Sequence, residues 1–224
     1  MKRLSLKELL RPENILYACL ALAPFIAGGI AYSHMPEQVP IHWSTDNTPD
    51  NFASRAFALF VIPCFLLLLN AAVQFVISFD PKRENLQRSG AMLAIVKWVM
   101  VLLPIFTQSL ILFQGLSEQE LDIGMACMLG VGLLLAAIGN YLPKCQPNYT
   151  VGIRLPWTLA DEANWRKTHR LAGPVWVIGG LVIAVLAFTP WRALDLLVLI
   201  PMVLIPALYS FFLYRRKKNE KGES

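Results

Sequence analysis

Charge is what this chain has least of. Only 16% of its 224 residues are Asp, Glu, Lys or Arg, whereas 56% are hydrophobic, and the mean hydropathy is +0.51. A soluble domain carries about 25% charged residues, so that class is excluded and a membrane protein is implied. Cysteine is sparse as well. Cys19, Cys64, Cys127 and Cys145 include no CxxC pair, and the first three lie in apolar runs as small hydrophobes. Neither a disulfide framework nor a zinc knuckle is expected. No nucleophile elbow, glycine-rich phosphate loop or HExxH pattern is present, so the chain is not read as an enzyme and no cofactor or metal is expected. Rows of intramembrane carboxylates are missing too. The chief polar residues of the apolar runs are Asn70, Gln74, Gln108 and Gln114, which leaves an ion or proton relay without its usual parts. No internal repeat is evident, which weakens an inverted-repeat transporter.

What is there is a series of six apolar runs, at residues 15–34, 54–79, 91–116, 123–142, 174–189 and 194–214. A hydrocarbon core of about 30 Å takes about 20 helical residues, and backbone groups in lipid must be satisfied within the segment, so each run is read as a spanning helix. The basic N-terminal stretch lacks a small-x-small cleavage site and reads as the lead-in to a retained first span. The fold class is an all-α integral membrane protein with six transmembrane helices. An N-terminal segment, 1–90, holds two helices and the outer loop; the remaining four helices fill 91–224.

Positive residues set the orientation. Segments before the first helix, after the second, between the fourth and fifth, and after the sixth hold 17 of the 20 Lys and Arg residues. These include Lys2, Arg3, Lys7 and Arg11, and, in the tail, Arg215 through Lys218 with Lys221. Both termini and the 139–173 segment are therefore expected in the cytosol. Arg55 and Arg192 lie outside with seven acids, Glu37, Asp46, Asp50, Glu118, Glu120, Asp122 and Asp195, an outer face that favours cationic ligands. Lys97 falls within the third helix and is expected to snorkel. The basic residues form no single stripe, so direct nucleic-acid binding is not expected.

Residues 35–51 form the outer loop, stiffened by Pro36, Pro40 and Pro49. His42 and Trp43 are adjacent. Either Trp43 anchors the loop at the membrane interface or Pro40, His42, Trp43 and Asp50 contact a ligand. His34 and His42 with Asp46 or Asp50 match no established metal-ligand spacing.

Residues 139–173 are the longest polar interruption. Gly139 and Asn140 read as the end of the fourth helix, and Pro143 forbids its continuation. Thr158 reads as an N-cap, with Asp161 three residues on, of a short amphipathic helix over 159–171. On it Trp165 and His169 share one face and Glu162 and Arg166 another. This helix is expected to lie in the interface plane, with Trp165 at the headgroups and Arg166, Lys167 and Arg170 toward anionic lipid, until Gly173 and Pro174 break it. Asn140, Asn148, Arg154, Trp157, Thr158, Trp165, Thr168, His169 and Arg170 are the candidate coupling or partner-docking residues.

This segment resembles the SdpI family of bacterial membrane proteins. The resemblance rests on Gly139-Asn140, Pro143-Lys144, Asn148, Gly152-Ile153-Arg154, Pro156-Trp157-Thr158-Leu159, Trp165 and Thr168-His169-Arg170. The outer loop is similar to the companion DUF1648 motif in Pro36, Val39-Pro40, His42-Trp43 and Pro49-Asp50. Met35 stands in place of the usual Leu, Asn47 where Gly is common, and Gln146 where a basic residue is frequent. The resemblance implies an immunity protein protecting its producer against a secreted antimicrobial peptide or toxin. It also implies a signalling role, in which a cytosolic repressor is held at the membrane. A small-solute transporter or channel is the alternative. The oligomeric state is left open.

Overall fold

The computed structural model describes residues 10–44, 47–117, 121–220 and 222. Of the residues used in the charge reading, Lys2, Arg3, Lys7, Asp46, Glu118, Glu120 and Lys221 lie outside them. Among the described residues, six helices are long and apolar enough to cross a membrane, at Pro12–His34, Phe57–Ser78, Gly90–Leu116, Ile123–Lys144, Glu162–Leu186 and Arg192–Glu220. The α-helical elements are α1 (Pro12–Ala31), α2 (Ile62–Ser78), α3 (Arg83–Arg88), α4 (Gly90–Leu116), α5 (Ile123–Tyr141), α6 (Pro156–Ala160), α7 (Glu162–Leu186) and α8 (Asp195–Glu220). Two strands, β1 (Gln38–Trp43) and β2 (Pro49–Ser54), form an antiparallel hairpin. The chain packs as two compact units, Met1–Gln74 with Val96–Ile123 and Phe75–Ile95 with Gly124–Ser224.

In the first unit, α1 begins with Pro12 at its first turn, where the missing N–H costs nothing. The 35–51 segment, expected as an extended, turn-rich path, carries the β hairpin. Val39 faces inward and is fully buried with Ala31, Met35, Ala58, Leu59 and Ile111. Ala58 and Leu59 belong to a π-helical turn, Phe57–Val61, that leads into α2. Asn47 has a φ of 65°, in the left-handed region that Asn tolerates better than most residues. Its side chain donates to the Leu121 carbonyl at 3.2 Å and accepts the Ile123 N–H at 2.9 Å. That explains how Asn serves where Gly is common. Met35 is buried over Gly115, whose missing Cβ leaves the room. Lys97 reaches the first turn of α1. It pairs with Glu13 at 2.6 Å and lies over the rings of Tyr17 and Trp98, because α1 brings it a carboxylate and an aromatic face.

The second unit is organised by backbone contact between α5 and α7. A Cβ on Gly132 would stand 2.6 Å from the Ala184 nitrogen, and one on Gly180 would stand 2.5 Å from both the Ala136 nitrogen and the Gly132 carbonyl. One on Gly139 would stand 2.6 Å from the Val177 nitrogen. Small residues let the two helices touch main chain to main chain, the packing that membrane helices use. Gly139 is thus a contact point rather than a helix end, and α5 continues to Tyr141 before a 3-10 turn over Leu142–Lys144.

Gly173 and Pro174 do not break the chain either. Helix α7 runs unbroken from Glu162 to Leu186, so the separate interfacial helix over 159–171 is corrected to the first half of the fifth span. Gly173 is there because Pro143 and the Gly139 carbonyl lie against it, and Pro174 sits on the exposed face. Prolines 201 and 206 are likewise inside α8.

Candidate functional site: the stitched segment before α7

Residues 145–155 have no regular structure, so their backbone groups need side-chain partners. Asn148, fully buried, supplies several. Its carbonyl oxygen accepts the N–H groups of Thr150 at 2.9 Å and Val151 at 2.6 Å, and its amide donates to the Gln146 carbonyl at 2.8 Å. Asp80, at the end of the second span, accepts the Tyr149 N–H at 2.9 Å and the Thr150 hydroxyl at 2.5 Å. Ser89 accepts the Gln146 N–H at 2.9 Å, and Asn85 donates to the Pro147 carbonyl at 3.0 Å.

Helix α7 closes the other side. Trp165 donates its indole N–H to the Cys145 carbonyl at 2.8 Å, and its ring stacks on His169 with centroids 4.1 Å apart. His169 Nδ1 faces the Trp165 carbonyl at 2.9 Å, and Nε2 accepts the Ile153 N–H at 3.0 Å. An acceptor on one side and a donor on the other select the neutral tautomer with the proton on Nδ1. Both nitrogens are then engaged. Gly152 is required beneath this ring: its φ is 113°, and a Cβ there would stand 2.5 Å from His169 Nε2.

The N-cap of α7 is Asp161, whose carboxylate accepts the Ala163 N–H at 3.0 Å, and not Thr158 as expected. Burial pushes the Asp161 carboxyl upward. Its hydrogen bonds from Lys217, at 2.9 Å, and from Ala163 outweigh that and hold it below the usual carboxylate range. Thr158 instead accepts the Leu155 N–H at 2.9 Å, and its hydroxyl proton faces the Ile153 carbonyl at 2.8 Å. Leu155 cannot cap α6, so Thr158 reaches back to do it. Burial also pushes the Cys145 thiol up, and its sulfur accepts from the Asn148 amide at 3.5 Å.

A second layer joins α7 to α8. Thr168 donates to the Asn164 carbonyl oxygen at 2.9 Å, and the Asn164 amide donates to the Ser210 carbonyl at 2.9 Å. Trp157 donates to the Ser210 hydroxyl at 2.9 Å and lies against Phe211 and Tyr214. Trp165 and His169 share a face as expected. That face is fully buried rather than set among headgroups, because residues 145–155 fold over it. Glu162 and Arg166 pair at 3.5 Å. Asn140, Arg154 and Arg170 are exposed; Arg154 donates to the Tyr149 carbonyl at 2.6 Å.

Sequence reasoning missed Asp80, Asn85, Ser89, Asn164 and Ser210. An acid followed by Pro81 at the end of a span was the one available signal for Asp80.

On the hairpin, His42 Nδ1 lies 2.6 Å from Asp50 Oδ1 across the strands, with side chains 67% and 45% exposed. Pro40 pairs with Phe52 and is half-buried. Trp43 is half-buried too, and its enclosed indole N–H finds no partner among the described residues. His34 lies beside Ser33 at 3.3 Å. Asp46, the other carboxylate considered, lies outside the described residues, and among those no group of three His, Cys, Asp or Glu could hold a metal.

The profile of the SdpI/YfhL protein family matches residues 144–214, which is the stitched segment with α7 and most of α8. That of a domain of unknown function, DUF1648, matches residues 19–67, which contain the hairpin. The immunity protein SdpI of Bacillus subtilis (strain 168) is 30% identical over 209 residues, covering 92% of this chain and 98% of that protein. The chain belongs to the SdpI family. As such, and with its six apolar helices, this SdpI-family chain is a multi-pass protein of the bacterial cytoplasmic membrane. No solved structure matches it. The stitched residues of this SdpI-family chain, Asn148, Trp165 and His169, are therefore a family-matched region folded as a polar core at one end of α7.

Proposed function

We propose that this protein is a membrane immunity protein that protects its cell against a secreted antimicrobial peptide or toxin. The observation that carries this reading is the relation to the Bacillus immunity protein over nearly that protein's whole length. The distribution of Lys and Arg supports an orientation with both termini and the stitched segment in the cytosol and the hairpin outside. The exposed His42–Asp50 pair, with Pro40 and the half-buried Trp43, is the proposed toxin contact. Inside, Arg154 and a hollow of about 380 Å³ lined by Asp161, Asn164, Arg216, Lys217 and Glu220 form the proposed docking face for a cytosolic repressor. The buried network beneath keeps that face rigid.

The test is a deletion strain exposed to a panel of secreted cationic peptides. Deletion is expected to sensitise the cell to at least one, and the wild-type chain to restore resistance. His42→Ala with Asp50→Asn should restore it poorly. Arg154→Ala with Arg216→Ala should keep resistance and lose repressor recruitment, read as release of a fluorescent fusion from the membrane. Unchanged sensitivity of the deletion strain across the panel would sink the immunity reading.

A further inference from the structure

On α7 the exposed residues Lys167, Arg170, Pro174, Ile178, Leu181 and Val185 follow one another by three or four positions, so they form one stripe along a single helix face. The first two are cations and the other four are apolar. Among the described residues Lys167 and Arg170 have no ion pair or hydrogen bond, whereas Arg166 has Glu162 at 3.5 Å and Lys217 has Asp161 at 2.9 Å. Beside the two cations opens a hollow of about 520 Å³, lined by Pro143, Ala163, Arg166, Lys167 and Arg170.

The dimensions fit one kind of molecule. At about 1.5 Å per residue, the apolar part of the stripe from Pro174 to Val185 is about 16 Å long, roughly half of a ~30 Å hydrocarbon core and hence the depth of one leaflet. A soluble protein cannot follow the stripe below the headgroups. A free phosphate would use only its cationic end. A zwitterionic lipid brings its own ammonium into a hollow that already holds three cations.

We propose that this face binds one anionic phospholipid, with its phosphate among Arg166, Lys167 and Arg170 and an acyl chain along Pro174, Ile178, Leu181 and Val185. The leaflet follows the orientation proposed above. The headgroup chemistry does not depend on it, nor on the immunity reading.

The test is native mass spectrometry of the full chain released from nanodiscs of mixed phosphatidylglycerol and phosphatidylcholine. One phosphatidylglycerol per chain is expected to stay bound. A cation near an anionic surface contributes a factor of about five, so Lys167→Gln with Arg170→Gln should lower retention roughly twenty-fold. Arg83→Gln with Lys218→Gln, which removes two cations elsewhere, should leave it unchanged, and Lys167→Arg with Arg170→Lys should keep it. Circular dichroism reports whether each variant is folded; should the glutamine pair fail to fold, Ile178→Ser, which weakens only the acyl contact, is expected to lower retention as well. Equal retention of phosphatidylcholine, full competition by glycerol phosphate, or equal losses in the control pair would overturn the proposal. So would capture of a soluble protein that the glutamine pair abolishes while phosphatidylglycerol retention stays intact.

Discussion

The indole N–H of Trp176 on α7 meets the Met202 carbonyl on α8 at 2.9 Å. That carbonyl, four residues before Pro206, is the one Pro206 leaves without a helical donor. In a membrane span an unpaired carbonyl is costly, and the neighbouring helix supplies what the proline removed.

A double-mutant cycle tests this relationship. Trp176→Phe should destabilise the detergent-solubilised protein by about 1–3 kcal/mol, since it orphans a buried acceptor. In a Pro206→Ala background, where the helix regains its own donor, the same change should cost clearly less. Equal costs in both backgrounds would refute the pairing.

His169 and Gly152 make a second coupled pair. His169→Ala removes the acceptor for the Ile153 N–H and opens a void beside Trp165, and should cost about 2–4 kcal/mol in thermal or denaturant unfolding. Gly152→Ala meets both a φ of 113° and the imidazole, so it should lower the melting temperature in the wild type. Combined with His169→Ala, the 2.5 Å clash with the imidazole is gone while the backbone strain and a 3.1 Å approach to the Trp165 ring remain, so the loss should be smaller than the sum.

Gly180 tests the contact between α5 and α7. Gly180→Ala places a methyl 2.5 Å from the Ala136 nitrogen and the Gly132 carbonyl, atoms that belong to backbone and cannot swing away. Overpacking of this kind costs typically 1–3 kcal/mol. Gly29→Ala, with nothing within 4 Å, should stabilise by up to about 1 kcal/mol through helix propensity alone, and comparing the two unfolding curves separates crowding from that propensity.

Asp161 sets a pH dependence. Its folded pKa lies below the ordinary value of 3.8, so the carboxylate stabilises the folded chain above that pH. The contribution is lost as pH falls through the folded pKa. Unfolding followed from pH 6 down to about pH 2.5 should therefore show Asp161→Asn less sensitive to acid than the wild type. A parallel decline in both would remove Asp161 from the account.

Gln108 is buried at 2% exposure, and both atoms of its amide lack a partner among the described residues. Gln108→Met, similar in shape and apolar, should keep or raise the melting temperature, because the orphaned amide is costly where it stands. A lower melting temperature would show that the amide is satisfied in the membrane.

Much of this protein is legible without its structure. Runs of apolar residues fix six spans, because hydrocarbon thickness converts directly into a residue count. The pairing of Glu162 with Arg166 and the shared face of Trp165 and His169 also follow from sequence, since helical neighbours are set by a spacing of four. The network around Asn148 does not. Asp80, Asn85 and Ser89 lie some 60 residues before the groups they bond, and no local pattern records that distance.

Gly173-Pro174 shows the boundary most clearly. The sequence by itself determined that a glycine and a proline stand between a polar and an apolar stretch, and local propensity alone makes that a break. Only the tertiary structure decided otherwise. Gly173 is small because Gly139 and Pro143 press against it, Pro174 sits on the exposed face, and one helix carries the buried Trp165 and His169 straight into the fifth span. Residues chosen for close packing and residues chosen to end a helix are the same residues, and what separates them is the neighbour that arrives from another part of the chain.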